Sequence, residues 1–148
     1  MILGLLACAF TPYRLERAVQ KYDERALVDH LQNGKYGYIR ERAANGLYRV
    51  SKNTTIPQAQ NALRNCVKKK DEFDYVRGAC AHTLAQWNDP QAAELIVQAL
   101  PDVGDETRYW MAHSLRSLDS AYAQAQLHAL RSDSDPILAA AVRQWLGE

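Results

Sequence analysis

The chain has 148 residues, 47% of them hydrophobic and 24% charged, a composition that supports a single globular domain with its own core. A formal net charge of +1 argues against a polyanion-binding tail and against disorder, which requires low hydrophobicity and high net charge. Seven Gly and five Pro are too few for a turn-dense β sandwich, and the plentiful Ala, Leu, Arg and Gln predict an all-α fold. The neutrality is an average: residues 1–74 hold thirteen Lys+Arg and eight Asp+Glu, residues 75–148 five and nine. Those balances of +5 and −4 are either ordinary compositional drift or, in an elongated molecule, a basic end and an acidic end able to orient a partner or to stack head to tail.

Residues 1–10 form an uncharged apolar segment ahead of Thr11-Pro12, and residues 11–148 form the expected domain. The segment is shorter than the ~20 apolar residues that span a bilayer and lacks the basic start of a secretory signal. Leu5-Leu6-Ala7-Cys8 nevertheless resembles the lipobox of bacterial lipoproteins, which implies lipidation at Cys8. Two readings therefore stand: an exported chain held at a membrane through Cys8, or an apolar segment packed on a cytoplasmic domain. Cysteine count bears on the choice. With Cys8 lipidated, Cys66 and Cys80 remain as a candidate disulfide in an oxidising compartment; in a reducing one they are small buried apolar residues.

Helical periodicity begins at residue 11, with Pro12 in the first turn and a stripe of Leu15, Ala18, Val19 and Tyr22. Asp23 is placed to cap a second helix with Ala26, Leu27 and Leu31, closed by Asn33-Gly34. A third carries Ile39, Ala43, Leu47 and Val50, and a loop over residues 51–55 separates it from a fourth that starts at Pro57 and carries Ala59, Ala62, Leu63, Cys66 and Val67. A fifth is predicted over 74–87, and Asn88-Asp89-Pro90 caps a sixth that ends at Leu100-Pro101. Asp105 opens a seventh to Leu118, an eighth covers about 120–131, and Pro136 opens a ninth to Leu146. Trp145 ends that last helix with little polar covering, as a terminal cap or as an open end for another molecule.

These helices repeat in pairs. Relative to residues 75–87, a shift of 37 back places Ile39, Arg40, Ala44, Leu47 and Val50 at equivalent positions, and a shift of 31 forward places Arg108, Ala112, His113, Leu115 and Leu118 there. A further 27 reaches Ala139, Val142 and Trp145. The unit Asp74-Tyr75-Val76-Arg77, Cys80-Ala81-His82-Thr83-Leu84 and Asp89-Pro90 resembles the HEAT repeat, in particular the bacterial subgroup akin to phycobilisome-lyase repeats. The resemblance covers residues ~13 to 148. It implies an α-α superhelix of about four helix pairs plus a C-terminal helix, and HEAT-like arrays host many roles.

Chemistry is sparse in this pattern. His82 and His113 share a repeat position, but neither has a carboxylate one helical turn away to complete a metal site, so no metal and no cofactor is expected. Ser114 follows His113 directly, and helix neighbours point about 100° apart, so that pair forms no dyad. Lys68-Lys69-Lys70 at the end of the fourth helix complements a helix dipole and is followed by Asp71 and Glu72, which disfavours a nucleic-acid interface. The resemblance further implies that second helices line a concave face. Its outward positions are Asn61, Arg64, Asn65 and Lys68, then Glu94 and Gln98, then Gln124, His128 and Arg131. Amide-rich positions of this kind suit another protein or peptide. Of Tyr109 and Trp110 one belongs in the core and its neighbour outside, so Trp110 is either an exposed aromatic of the type that anchors interfaces or packs against the loop above it. The expected function is a non-catalytic interaction scaffold, with a lyase-type accessory enzyme or a nucleic-acid-binding module as alternatives.

Overall fold

A computed structural model describes residues 3–50 and 57–148, with backbone alone for 3–11. The Cys8 side chain and the loop over 51–55 lie outside the described residues. Among those described there are nine α-helices and no strand: α1 (Leu3–Gln20), α2 (Glu24–Asn33), α3 (Gly37–Val50), α4 (Pro57–Lys68), α5 (Asp74–Gln86), α6 (Ala92–Ala99), α7 (Asp105–Leu115), α8 (Ala121–Leu130) and α9 (Pro136–Leu146). A 3-10 turn at Leu100–Asp102 follows α6.

The helix ends follow local chemistry. Asp23 accepts the Ala26 N–H at 3.1 Å, Ser120 that of Ala123 at 3.0 Å, and Asp135 that of Ile137 at 2.9 Å with Pro136 behind it in the first turn. Tyr22, Asn88 and Gly147 take positive φ after α1, α5 and α9, and the next N–H reaches back to Ala18, Leu84 and Arg143 respectively. Tyr22 thus belongs to a turn and is exposed, whereas the periodicity placed it on the buried stripe. Gly34 has an ordinary φ of −59°, so it is not a left-handed cap; a Cβ there would run into the His30 carbonyl and Ile39.

Three expected boundaries move. α1 passes without a break through residue 10 and holds Pro12 in its interior. α6 starts only at Ala92, with Gln91 at its N-cap; Asp89 accepts the Gln91 N–H in the turn before it, and its carboxylate also binds Arg64. α7 stops at Leu115, after which the N–H groups of Arg116, Ser117 and Leu118 bond three residues back.

The helices stack in two layers. α1, α3, α5 and α7 follow one another in the first; α2, α4, α6 and α8 do so in the second; α2 packs on α3 and α4 on α5 across the layers. These two layers of four helices, followed by α9 packed on α8, form an α-α superhelix. Leu27, Ile39, Leu47, Leu63, Leu84, Ile96, Met111, Leu115 and Leu138 form its continuous core. Each fully buried side chain of this size contributes about 1.5–3 kcal/mol of transfer free energy. Ala44, Ala81 and Ala112, at one repeat position, are fully buried and let α3, α5 and α7 approach closely. The Thr83 hydroxyl lies 3.0 Å from the carbonyls of both Ala44 and Ala79, tying α5 to α3.

The recurrent arginines are the stitches between units. Arg40 forks onto Glu72 at 2.6 and 2.7 Å and donates to the Gly34 carbonyl at 2.6 Å. Buried Arg77 donates from Nε to the Val67 carbonyl at 2.9 Å, and Arg108 pairs with Asp133. Burial alone would push the Glu72 carboxyl upward; the Arg40 fork and the Phe73 N–H outweigh it and hold it below the usual carboxylate range. Arg40 is correspondingly raised, by its hydrogen bond to Glu72. Cys66 of α4 and Cys80 of α5 are joined, with Cα atoms 6.3 Å apart, so a covalent bond crosses between the layers.

Candidate functional site

The face expected to bind is carried by α4, α6 and α8. Asn61, Asn65, Lys68, Glu94, Gln98, Gln124, His128 and Arg131 are all exposed there, in a row that follows the second layer. Arg64 corrects the expectation. Its guanidinium lies across the fully buried Asp89 carboxylate, with Nη2 at 2.7 Å and Nε at 3.1 Å, and fastens α4 to the turn before α6. Other members are locally engaged: Gln98 donates to Glu94 at 3.0 Å, Gln124 to the Leu118 carbonyl at 3.3 Å, and Arg131 to Glu148 at 3.0 Å. A hollow of about 100 Å³ brings Lys68 and Gln98 together, and the remaining residues stay separate along the row.

The larger concavities lie on the other layer. A hollow of about 410 Å³ spans α3, α5 and α7 and is lined by Glu41, Asn45, Tyr75, Gly78, Ala79, His82, Glu106, Thr107, Trp110 and Ser114. Its floor is low because α5 carries Gly78 and Ala79 at mid-helix; a Cβ on Gly78 would already stand 3.1 Å from the Thr107 methyl. Its rim carries aromatic rings. Trp110 is 56% exposed and is held edge-on by Tyr109 at 5.4 Å and His113 at 5.9 Å, while Tyr75 stacks on Phe73 at 5.5 Å.

His82 sits half-buried in this hollow, 5.5 Å from the Tyr48 ring and with Nδ1 3.3 Å from Ser114 Oγ. Ser114 is itself buried and donates its hydroxyl proton to the Trp110 carbonyl at 3.0 Å. Nδ1 is therefore the donor toward Ser114, and the contact orients the imidazole rather than removing a proton from the hydroxyl. The serine next to His113 in sequence thus meets the histidine of the neighbouring helix, a pairing that only the packing of α5 against α7 creates. Burial, with the charge of His113 as a smaller contribution, pushes His82 below the ordinary histidine range. Its ring is neutral at neutral pH.

Two further hollows share walls with the first. One of about 350 Å³ includes Glu41 and Asn45 and adds Val19, Tyr38, Arg42, Gly46 and Arg49. Another of about 220 Å³ includes Glu106 and adds Asp105, Tyr109, Asp135 and Ile137. Glu41 and Glu106 each line two of these hollows, so the three lie side by side as a track from α1 to α9, with Arg42 and Arg49 at the α3 end and Asp105 and Asp135 at the α9 end. At the α9 end Trp145 is covered by Tyr109 at 5.4 Å, His113 at 5.3 Å and the Arg116 guanidinium at 5.5 Å, so the last helix caps the core, while Ile137 remains exposed.

Among the described residues no group of three His, Cys, Asp or Glu is arranged to hold a metal ion, and no helix is long and apolar enough to cross a membrane. A family model for HEAT repeats matches residues 61–147, more than half of the sequence. The chain belongs to the HEAT repeat family. Repeats of this family commonly serve as protein-interaction scaffolds. None of the curated proteins is significantly similar to the chain. In this HEAT array the track was missed by sequence reasoning, which followed polar outward residues and not small ones. The available signal was Gly78-Ala79, flanked one repeat away by Glu41-Arg42 and by Tyr109-Trp110.

Proposed function

We propose that this HEAT-repeat chain is a non-catalytic scaffold that holds a protein partner along the track on α1, α3, α5, α7 and α9. The carrying observation is that the three hollows adjoin at Glu41 and Glu106, with exposed Trp110 and Tyr75 on the rim. Aromatic anchors beside a concave, partly apolar floor supply the large desolvation gain that interface hot spots require. Use of the Ser114 hydroxyl as a donor to Trp110 supports the non-catalytic reading.

Affinity capture from the native host, repeated with Trp110→Ala plus Tyr75→Ala and with Asn61→Ala plus Gln98→Ala, tests this assignment. The expected result is a protein recovered by the parent and by the second variant and lost with the first. Recovery lost only with the second variant would transfer binding to the α4, α6 and α8 row.

A membrane tether through Cys8 is the second element of the proposal. It is supported by the bond between Cys66 and Cys80, since such bonds persist in oxidising compartments. Mass spectrometry of protein expressed from its native upstream region is expected to find diacylglyceryl on Cys8; an unmodified cysteine overturns this element alone.

A further inference from the structure

We infer that the central and α9-side hollows receive two basic side chains, three residues apart, from an extended segment of the partner. This rests on the track being the binding face and adds the chemistry that it recognises.

The central hollow contains two carboxylates, Glu41 and Glu106, and no lysine or arginine. Neither carboxylate takes part in an ion pair among the described residues, in contrast to Glu16, Glu72, Asp89, Asp102, Asp133 and Glu148, each of which meets a cation. The α9-side hollow adds Asp105 and Asp135, again with no cation in its lining. Asp135 spends one oxygen on the Ile137 N–H that it caps, which leaves its net charge in place. His82, the basic group of the central hollow, is kept neutral by burial, so the field there stays negative at neutral pH.

The rings complete the recognition. A cation over the face of Trp is attracted by the ring quadrupole, and a guanidinium also stacks on it as a plane. Trp110 is exposed and fixed in orientation by Tyr109 and His113, so little side-chain freedom is lost on binding. Tyr75 faces the same space. Arginine is therefore preferred to lysine.

The spacing follows from the array. The two hollows adjoin, and Glu106 of α7 lines both. A polyproline-type segment rises about 3.1 Å per residue and returns to the same side every three residues, so side chains at i and i+3 stand about 9 Å apart. An Arg-x-x-Arg segment therefore presents two guanidiniums on one side, one for each of two adjoining hollows. Beyond the central hollow, Arg42 and Arg49 reverse the sign, which sets the direction of the segment: its basic pair toward α9.

The test uses the full chain and four fluorescent peptides on one Ala/Pro host, carrying Arg-x-x-Arg, Lys-x-x-Lys, Gln-x-x-Gln or Glu-x-x-Glu. Anisotropy should show binding of the arginine peptide, weakened by added salt, and none of the glutamine or glutamate peptides. Glu41→Gln and Glu106→Gln should each weaken it about three- to tenfold, as loss of a partly desolvated charge contact does. Lys-x-x-Lys should bind more weakly than its arginine counterpart. Equal binding of the glutamine and arginine peptides, indifferent to both glutamine variants but lost with Trp110→Ala, would overturn the charge assignment and leave the track standing as the binding face. Binding of the arginine peptide unaffected by Glu41→Gln, Glu106→Gln and Trp110→Ala alike would overturn both. Thermal melts of each variant separate lost recognition from lost folding.

Discussion

In the first helix layer, α5 places Gly78 and Ala79 where α3 has Glu41 and Arg42 and α7 has Tyr109 and Trp110. The short side chains open a hollow, and the long ones on either side become its walls. In the second layer, α4, α6 and α8 place Asn65, Gln98 and His128 outward, and much of that polarity is used nearby, as in Gln98 to Glu94 and Arg131 to Glu148. Each layer supplies one helix of the repeating pair, and in the first the side-chain volume at this position varies sharply from repeat to repeat. The proposed binding surface therefore follows alternation in size more than abundance of polar groups.

α5 is the helix on which both layers depend, since it packs on α3 and α7 in its own layer and on α4 and α6 in the other. The largest effect is accordingly expected from Leu84→Ala, which empties a fully buried site on α5. A loss of about 2–5 kcal/mol is expected from urea unfolding. Leu130→Ala, on half-buried Leu130 of α8, should cost less than about 2 kcal/mol. Equal losses would mean that the layers do not share a central helix in the energetic sense.

The bond between Cys66 and Cys80 ranks next. It closes a loop with a sequence separation of 14, for which the chain-entropy model gives roughly 3 kcal/mol. Addition of dithiothreitol should lower the urea midpoint of the parent and leave a Cys66→Ala, Cys80→Ala double variant unchanged. A parent midpoint insensitive to reduction would remove this tie between the layers.

Acid should act in two separate windows. His82 faces Tyr48 and Glu41 of α3, Tyr75 of its own helix and Glu106, His113 and Ser114 of α7. Because its folded pKa is depressed, the unfolded chain takes up the proton first as pH falls below about 6.5. The stability it contributes is complete above that value and declines as pH drops toward the folded pKa. Glu72 is also depressed, so its contribution is present above about pH 4.5 and is lost as pH falls through its folded value. His82→Gln should flatten the upper step and leave the lower one intact. A single step unaffected by His82→Gln would show that the hollow does not hold that ring neutral.

Much of the fold was legible because a repeat must bury the same stripe several times. Leu47, Leu84 and Leu115 sit at one repeat position, and all are fully buried. The arginines at Arg40, Arg77 and Arg108 were visible as a recurrence, but not as stitches, because their acceptors Glu72, the Val67 carbonyl and Asp133 lie in other segments with no fixed spacing. The same limit hid the role of Arg64, whose partner Asp89 is 25 residues away and looked like a helix cap. Exposure of Asn61, Lys68 and Gln98 followed from helical phase alone. The track did not, because a hollow is made by what three helices omit together, and phase on one helix carries no information about volume on the next.

The smallest stability effects divide the two surfaces most cleanly. Gln98→Ala removes one i, i+4 contact worth about 0.2–0.5 kcal/mol, and Arg131→Ala removes an exposed ion pair worth roughly 0–1 kcal/mol. Trp110→Ala removes a ring that is more than half exposed and should likewise cost no more than about 1 kcal/mol. With stability so nearly matched, partner affinity becomes the discriminating measurement. Trp110→Ala should abolish capture of the partner, while Gln98→Ala and Arg131→Ala keep it within about twofold, as expected of positions outside the desolvated centre of an interface. The reverse pattern would place recognition on the polar row of α4, α6 and α8, and the alternation of Gly78-Ala79 with Tyr109-Trp110 would then be a packing solution for α5 and α7 alone.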